Sequence, residues 1–281
     1  MESIFRKGSL AVITGGASGI GYALAQRCVK AGMNVLVADK NPVYIEHANK
    51  TLGQGAKAVQ VDVSRPEDWA SLKKIVDTEH SGHVSLLALN AGIKPDSSFG
   101  SGSLASFKTT FDVNVYGVVA GIEALLTSVR ASAAAGDRSA VVITGSKQGI
   151  TNPPGWPAYG ASKAAVKSIA EQLSYDLKDV SGLSVHLLIP GWVHTGLSGR
   201  RPDHEPPKPD GAWWPEQIVE LLEKKIAEKQ FWVLCPDGEV TEALDKKRML
   251  WSVGDTLEGR PPLSRWRAEY KEAAEQFTKQ S

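Results

Sequence analysis

Two side chains that together could move a proton stand four positions apart in the segment YGASK. Tyr159 and Lys163 follow a proline-rich stretch at 152–157, where an alanine-rich helical pattern begins. Residues four apart share one face of a helix, with Cβ atoms about 5–6 Å apart. A phenol has a pKa of about 10 in water, and a positive charge nearby lowers it. The pair can therefore serve as a general acid–base unit, unless Tyr159 merely packs, Lys163 points into water and the spacing is accidental.

Two further polar residues are candidates for the same chemistry. Ser146 ends the hydrophobic run SAVVITGS, at the carboxyl end of a predicted strand, where parallel sheets place their ligands. That location is suited to chemistry, unless Ser146 is only a turn residue whose hydroxyl bonds to nearby backbone. Asn114 lies in a long helical pattern, where asparagine is a poor helix former, so we expect a kink or a local hydrogen-bonding role.

A glycine-rich turn, TGGASGIG at 14–21, follows the first predicted strand and precedes a helix. Gly15, Gly19 and Gly21 let the backbone turn tightly and approach a pyrophosphate at the positive end of that helix. The turn therefore predicts a dinucleotide site, although a tight strand–helix connection alone also uses such glycines.

Asp39 closes the second predicted strand, where a carboxylate accepts hydrogen bonds from an adenosine ribose and repels a 2′-phosphate. This favours NAD over NADP, while the neighbouring Lys40 partly offsets the repulsion; Asp39 could also serve only the turn. Asp62, with Val63 beside it, is predicted to end the third strand and meet the adenine edge.

Short apolar runs alternate with amphipathic segments along the chain, which predicts repeated βαβ units. Strand-like runs occur at 10–14, 34–39, 57–63, 84–92, 139–146, 183–191 and 230–235, and helical patterns near 20–31, 66–79, 104–131, 160–179 and 216–229. We expect an α/β fold with a doubly wound parallel sheet, Rossmann-type. The predicted division is one dinucleotide-binding and catalytic domain at 1–235, with a mobile substrate loop at about 196–214, and a C-terminal extension at 236–281.

Composition narrows the function classes. The 281 residues carry 32 basic and 31 acidic side chains, so no excess of positive charge indicates a nucleic-acid partner. The two cysteines form no CxxC pair, which predicts a reducing, cytoplasmic setting and no metal site. No signal-like apolar region and no uncharged run of about 20 residues occurs, so we expect no membrane association.

Taken in order, these motifs resemble the short-chain dehydrogenase/reductase family. The matching segments are TGxxxGxG at 14–21, NAG at 90–92, Asn114 within FDVNVYG, Ser146 within ITGS, YGASK at 159–163 and PGWVHT at 190–195. The resemblance implies that Tyr159 is the catalytic acid/base and that Lys163 lowers its pKa and binds the nicotinamide ribose. It also implies that Ser146 holds the substrate carbonyl and that Asn114 supports a water-linked proton relay.

The same resemblance implies a set of cofactor contacts. Ile20 would meet the phosphates through its backbone, Asn90–Gly92 would lie beside the adenine ring and central sheet, and Val193 would meet the carboxamide. The full predicted set is Gly15, Ser18, Gly19, Ile20, Gly21, Asp39, Asp62, Val63, Asn90, Ala91, Gly92, Tyr159, Lys163, Pro190, Gly191, Val193 and Thr195. The implied cofactor is NAD(H), with NADP(H) as the alternative.

The predicted activity is hydride transfer between this cofactor and a secondary alcohol or ketone. Trp156, Trp192, Trp213 and Trp214 favour an aromatic or bulky substrate, or else form oligomer contacts. The pair at 200–201 is a candidate for holding an anionic substrate. The competing hypothesis is a non-catalytic dinucleotide sensor or scaffold, which would not need the serine, tyrosine and lysine.

The resemblance also bears on assembly. Family members are commonly homodimers or homotetramers. The C-terminal segment resembles an extension found in a subset that includes enzymes oxidising benzylic alcohols of lignin-type aryl ethers. Such an extension would cover the active site or pack on a neighbouring subunit.

Overall fold

The computed structural model describes residues 4–100, 103–198 and 206–279 and has a parallel sheet at its centre. The sheet has seven strands in the order β3-β2-β1-β4-β5-β6-β7. The strands are β1 (Leu10–Thr14), β2 (Asn34–Asp39), β3 (Ala56–Gln60), β4 (Leu86–Leu89), β5 (Ser139–Thr144), β6 (Leu183–Ile189) and β7 (Trp232–Leu234). All neighbouring strands run parallel.

Helices connect the strands and cover both faces of the sheet. They are α1 (Gly19–Lys30), α2 (Pro42–Thr51), α3 (Pro66–Glu79), α4 (Ser103–Phe111), α5 (Gly117–Ala134), α6 (Gln148–Thr151), α7 (Pro157–Asp176), α8 (Pro215–Ala227), α9 (Glu242–Leu257) and α10 (Lys271–Lys279). A π-helical turn, Asp112–Tyr116, joins α4 to α5. The expected doubly wound α/β fold is confirmed.

The continuous hydrophobic runs of the strands are explained by burial on both sides. β1, β4 and β5 are buried at every position, as expected when helices cover both faces of a parallel sheet. Leu24 of α1 and Leu222 of α8 pack on one face, and Leu72 of α3 and Leu125 of α5 on the other. Each such side chain contributes about 1.5–3 kcal/mol by leaving water.

The strand order reverses between β1 and β4, which creates the crevice in which doubly wound folds bind ligands. The chain segments that leave β1, β4, β5 and β6 all emerge on this side. They carry Gly15, Asn90, Ser146 and Pro190, so residues far apart in sequence meet at one edge of the sheet.

Several predicted boundaries are wrong in detail. β3 ends at Gln60 and β5 at Thr144, so Asp62 and Ser146 lie beyond their strands rather than ending them. Beyond β3 the chain turns toward α3. There the backbone nitrogen of Asp62 donates to the Asp68 carboxylate at 2.8 Å rather than to the neighbouring strand. Helix α2 was not predicted, although Asn41 caps it with its side chain and proline begins it.

One helical run among the described residues, Leu104–Ala134, is long and apolar enough by composition to cross a membrane. It comprises most of α4, the π-helical turn and α5. Within this fold it belongs to the core, because Leu125 and Val129 are fully buried against the sheet. Its apolar composition follows from that position.

The chain after β7 forms α9, two 3₁₀ turns and α10. Trp251 of α9 is buried and donates from Nε1 to Ser264 Oγ at 2.8 Å. The same serine donates from its backbone nitrogen to Asp255 at 3.0 Å. These contacts give the extension a small polar and aromatic centre of its own, while its boundary at residue 235 stays a prediction.

Candidate active site

The glycine-rich turn brings the start of α1 against the ends of the central strands. Gly15 and Gly19 have φ values of +59° and +52°, a conformation that side chains disfavour. A Cβ on Gly21 would lie 2.3 Å from the Gly15 carbonyl oxygen, and one on Gly15 would lie 2.9 Å from Ala91 Cα. The turn therefore requires glycine, and its open backbone and the helix N-terminus form a cradle suited to a phosphate group.

Asn90 and Thr14 tie this turn to the sheet. The Asn90 amide group donates to the backbone oxygens of Thr14 and Gly15 at 3.2 and 3.3 Å, and accepts from the Thr144 hydroxyl at 3.1 Å. The Thr14 hydroxyl accepts from the backbone nitrogens of Asn90 and Ala91 at 2.9 and 3.1 Å. The Asn90 side chain thus holds the turn in place, and its predicted adenine contact stays a prediction.

Asp39 lies at the rim of the cleft, beside the glycine turn. Its carboxylate accepts from the backbone nitrogens of Ala17 and Asn41 at 3.2 and 3.0 Å. Burial raises the pKa of Asp39, and these hydrogen bonds oppose that rise. The carboxylate is positioned by backbone donors and faces the cleft that it lines.

Lys40, predicted to offset the charge of Asp39, pairs instead with Asp62, at 2.6 Å. Asp62 also accepts from the Ser64 hydroxyl at 2.6 Å. Burial alone would raise the pKa of Asp62, but the bonds from Lys40 and Ser64 outweigh it and hold the pKa below its usual value. Among the residues that the structure describes, no lysine therefore pairs with the negative charge of Asp39.

Tyr159 and Lys163 both lie on α7, are buried and line the same cleft. Lys163 Nζ is 5.8 Å from the centroid of the Tyr159 ring and donates to the Thr144 carbonyl oxygen at 2.7 Å. The carbonyl at the end of β5 thus anchors the ammonium beside the phenol.

The pKa of Tyr159 is raised, contrary to the sequence argument that Lys163 would lower it. Burial of the phenol raises this pKa, and a hydrogen bond with the Ser146 hydroxyl only partly opposes the effect. Burial also lowers the pKa of Lys163 to about 8. Desolvation of the two buried side chains is therefore the main cause of both shifts.

Asn114 lies in the π-helical turn and holds the loop after β4. Its Oδ1 accepts from the Ile93 nitrogen at 2.8 Å, and its Nδ2 donates to the Ile93 oxygen at 2.9 Å and to Ser162 Oγ at 3.0 Å. The Ser162 hydroxyl donates to the Tyr159 carbonyl oxygen at 2.8 Å. The expected local hydrogen-bonding role is present, and its consequence is to couple this loop to α7.

A cleft of about 670 Å³ joins these features, within the usual size of small-molecule sites. Most predicted site residues line it: Gly15, Ser18, Gly19, Ile20, Asp39, Asp62, Val63, Asn90, Ala91, Gly92, Tyr159, Lys163, Pro190 and Thr195. Gly21, Asn114, Ser146, Gly191 and Val193 do not. Gly21 is pressed against the turn itself, and Asn114 stands behind Gly92, where an added Cβ would lie 3.3 Å from its Oδ1.

The loop before α7 is strained. Trp156 and Asn152 have φ values of +39° and +44°, which residues with side chains rarely adopt. Trp156 Nε1 donates to Asp96 at 3.3 Å, and Lys94 Nζ lies 4.1 Å from its ring centroid. The tryptophan is thus held at the approach to Tyr159 by the loop after β4.

Sequence reasoning missed the residues that act through backbone contacts. Thr144, Ile93 and Ser162 anchor Lys163 and Asn114, and no short-range pattern distinguishes them. The predicted pair at 200–201, with the central part of the loop at 196–214, lies outside the described residues. Within the described ranges, no group of three His, Cys, Asp or Glu side chains is arranged to hold a metal.

Comparison with known proteins identifies the family. The oxidoreductase asL5 of Sarocladium schorii is 32% identical over 191 residues, which cover 68% of this chain and 74% of that protein. The NADP-dependent (R)-specific alcohol dehydrogenase of Lentilactobacillus kefiri is 30% identical over 197 residues, 68% of this chain and 75% of that one.

A solved structure gives the same result over more of the chain. A short-chain dehydrogenase/reductase from Burkholderia phymatum, in complex with NAD, has a TM-score of 0.79 and 26% identity, and the match covers 93% of this chain and 98% of that one. This share includes part of the C-terminal extension. The family model described as short chain dehydrogenase matches residues 9–206. The chain belongs to the short-chain dehydrogenase family.

Proposed function

We propose that the protein is an NAD(H)-dependent oxidoreductase that interconverts a secondary alcohol and a ketone. The observation that carries this proposal is that Tyr159 and Lys163 line the same cleft as the glycine cradle and Asp39. Relatives with named activities include an alcohol dehydrogenase and a hydroxysteroid dehydrogenase. Both activities use the chemistry that this site can perform.

The residues fit a dinucleotide. The cradle at Gly15, Gly19 and Gly21 leaves no room for Cβ atoms and presents the start of α1 to a pyrophosphate. Asp39, which has no lysine partner among the described residues, supports a free ribose 2′-hydroxyl over a 2′-phosphate. Both an NAD complex and an NADP-dependent enzyme occur among the similar proteins, so NADP(H) remains the alternative cofactor. The nicotinamide, when bound, supplies the hydride acceptor or donor.

The chain's own residues supply the proton and the positioning. In oxidation, the Tyr159 oxygen takes the hydroxyl proton of the alcohol as the C–H hydride leaves; in reduction it returns a proton to the carbonyl oxygen. The Ser146 hydroxyl lies beside the Tyr159 phenol and turns its proton to that same substrate oxygen. The ammonium of Lys163 stabilises the phenolate form of Tyr159, and Asn114 holds the surrounding loop. General acid–base help of this kind is worth about 10²–10⁴-fold.

Tryptophans support a bulky or aromatic substrate. Trp156 and Trp192 are both partly exposed and are close in sequence to the cleft-lining residues Tyr159 and Pro190. Flat apolar rings at a cleft mouth favour ligands with extended apolar surface.

The test combines a cofactor titration with a substrate panel. Purified protein is titrated with NADH and NADPH, and the preferred form is then used to follow reduced-nicotinamide absorbance with aliphatic and aromatic alcohols and ketones. We expect turnover with at least one secondary alcohol or ketone, and Tyr159→Phe should lower kcat by about 10²–10⁴-fold while still binding NADH. Retention of full activity by that variant on a true substrate would exclude the mechanism.

The second hypothesis is a dinucleotide sensor or scaffold. It predicts tight NADH binding with no turnover of any compound on a broad panel. Buried Tyr159 and Lys163, with Ser146 beside them, favour the enzyme, because a sensor has no use for a buried ammonium that costs folding free energy.

The setting of the enzyme is also a proposal. We infer a cytoplasmic homodimer or homotetramer, with residues 1–235 as the catalytic domain and 236–281 as an extension. Sedimentation equilibrium on the full chain measures the assembly directly.

A further inference from the structure

A buried ion cluster joins the C-terminal extension to the end of β5. Lys147 directly follows Ser146, and its side chain is 13% exposed. Its ammonium contacts the Asp237 carboxylate and lies 2.9 Å from Asp245 Oδ2. The Asp245 side chain is 1% exposed, and Arg248 Nη1 is 3.7 Å from its other oxygen. The Lys147 ammonium therefore lies between two carboxylates with little access to water.

Asp237 also holds the segment that follows β6. Its Oδ2 accepts from the Trp192 backbone nitrogen at 2.7 Å. A Cβ on Gly191 would lie 2.4 Å from Asp237 Cγ, so the carboxylate packs directly on the backbone there. The backbone nitrogen of Lys147 donates to the carbonyl oxygen of Pro190 at 3.3 Å. One carboxylate of the extension thus joins the chain after β5 to the chain after β6.

These two segments carry groups that the proposed reaction needs. The segment after β5 carries Ser146, bonded to Tyr159. The segment after β6 lines the cleft at Pro190 and Thr195, and Thr195 Cβ lies 3.1 Å from where a Cβ on Gly19 would be. A shift of one or the other changes the distance between the reacting oxygen and the cofactor site, and a misplacement of about 1 Å can cost about 10²-fold in rate.

We propose that Asp237 is a positioning residue of the active site, acting through Lys147 and the backbone at 191–192, and that Asp245 holds Lys147 for it. The extension then contributes to the active site of its own chain by holding the segments after β5 and β6 in place. This inference rests on the proposed function. It differs from a general stabilising role because a specific carboxylate, rather than the fold of the extension, sets the geometry.

The extension offers a matched control. Asp255 is also buried and accepts from Arg260 Nε at 3.0 Å and from the Ser264 backbone nitrogen at 3.0 Å. Within the described part of the chain, its hydrogen bonds are to Arg260 and Ser264, both in the extension. Asp255→Asn therefore weakens the extension through a comparable loss of charge, at a site away from Lys147 and the segment after β6.

The experiment measures kcat, both KM values, the NADH dissociation constant and the thermal midpoint for full-length Asp237→Ala, Asp237→Asn and Asp255→Asn. We expect Asp237→Ala to lower kcat by about tenfold or more and to weaken NADH binding several-fold. Asp237→Asn keeps an oxygen acceptor for the Trp192 nitrogen and should recover most of the NADH affinity. Asp255→Asn should lower the thermal midpoint at least as much and keep kcat and NADH affinity within about twofold.

A double-mutant cycle separates positioning from stability. If Asp237 acts through Ser146, Asp237→Ala should lower kcat by a clearly smaller factor in a Ser146→Ala background than in the wild type. The inference is overturned if Asp237→Ala and Asp255→Asn change kcat and NADH affinity alike, or if the losses only follow the thermal midpoint. Wild-type NADH binding without any turnover would instead overturn the proposed function, and NADH affinity across the three variants would then decide the inference alone.

Discussion

Lys163 shows at the residue scale how burial and catalysis conflict. Its ammonium is enclosed by α7 and β5, and burial lowers its pKa from 10.5 to about 8. The unfolded chain keeps this proton up to a higher pH than the folded one, so the wild type gains stability as pH rises from about 8 to 10.5. Below that window the full cost of the buried charge is present.

Replacing this lysine by an apolar residue should therefore make the protein more stable and abolish its activity. We expect Lys163→Met to abolish turnover and to raise the thermal midpoint by a few degrees at pH 7, with the gain shrinking toward pH 10.5. Lys167→Met, on the same helix but paired with Glu171 at the surface, is the control and should show no such trend. A gain that stays constant over this pH range would show that packing rather than charge is responsible.

Asp39 belongs to the same scale, because one carboxylate is expected to decide the cofactor. Asp39→Ser removes the charge that repels a 2′-phosphate, so the ratio of kcat/KM for NADP over NAD should rise by about tenfold or more. Glu46→Gln, an equal change of charge on the exposed face of α2, should leave that ratio unchanged. An unaltered ratio in Asp39→Ser would assign the preference to another residue.

At the scale of elements, the junction of β1 and α1 depends on backbone that carries no side chain. Gly21 meets the Gly15 carbonyl so closely that even a methyl group at position 21 requires the helix to move. We expect Gly21→Ala to weaken NADH binding at least about tenfold and to lower the thermal midpoint. Fluorescence titration and thermal denaturation measure the two effects.

Gly160 is the matched control for that substitution. It lies within α7, and an added Cβ there would meet only Asn152 Oδ1 at 3.4 Å, an ordinary contact. Gly160→Ala should keep NADH affinity and stabilise the protein by about 0.4–1 kcal/mol. Equal losses of affinity in both variants would contradict the close approach of turn and helix as the cause.

At the scale of the whole molecule, Trp251 lies at the centre of the contacts within the extension. Trp251 is buried, bonds to Ser264, and carries the Arg260 guanidinium 4.0 Å from its ring centroid and Phe277 at 5.4 Å. Trp251→Ala should cost about 3–5 kcal/mol of local stability and speed amide exchange in α9 and α10, with β1 to β5 still protected.

Trp266, on the same extension but partly exposed, is the comparison for that variant. Trp266→Ala should change the stability of the extension by no more than about 0.5 kcal/mol. Loss of protection throughout the central sheet in Trp251→Ala would show that the extension and the sheet unfold as one unit.

Much of the fold and the identity of the candidate residues could be predicted from the sequence. The alternation of apolar strands and amphipathic helices, the glycines at 15, 19 and 21, and the Tyr159–Lys163 spacing are short-range features. Each is read from neighbouring residues, because strand pleat, helix pitch and left-handed turns constrain side chains only a few positions apart. The local hydrogen-bonding role of Asn114 was predicted in the same way, from a poor helix former inside a helical pattern, whereas the π-helical turn that carries it was not.

Only the tertiary structure decided which groups meet and how deeply they are buried. It paired Lys40 with Asp62 rather than leaving it beside Asp39, raised the pKa of Tyr159 by enclosing it, and brought Asp237 to Lys147 across 90 positions of chain. The physical reason is that ion pairing and desolvation depend on neighbours in space, which the packing of helices on both faces of the sheet determines. The local sequence specifies the chemistry available to this protein, and its folding specifies the partners and the burial under which that chemistry operates.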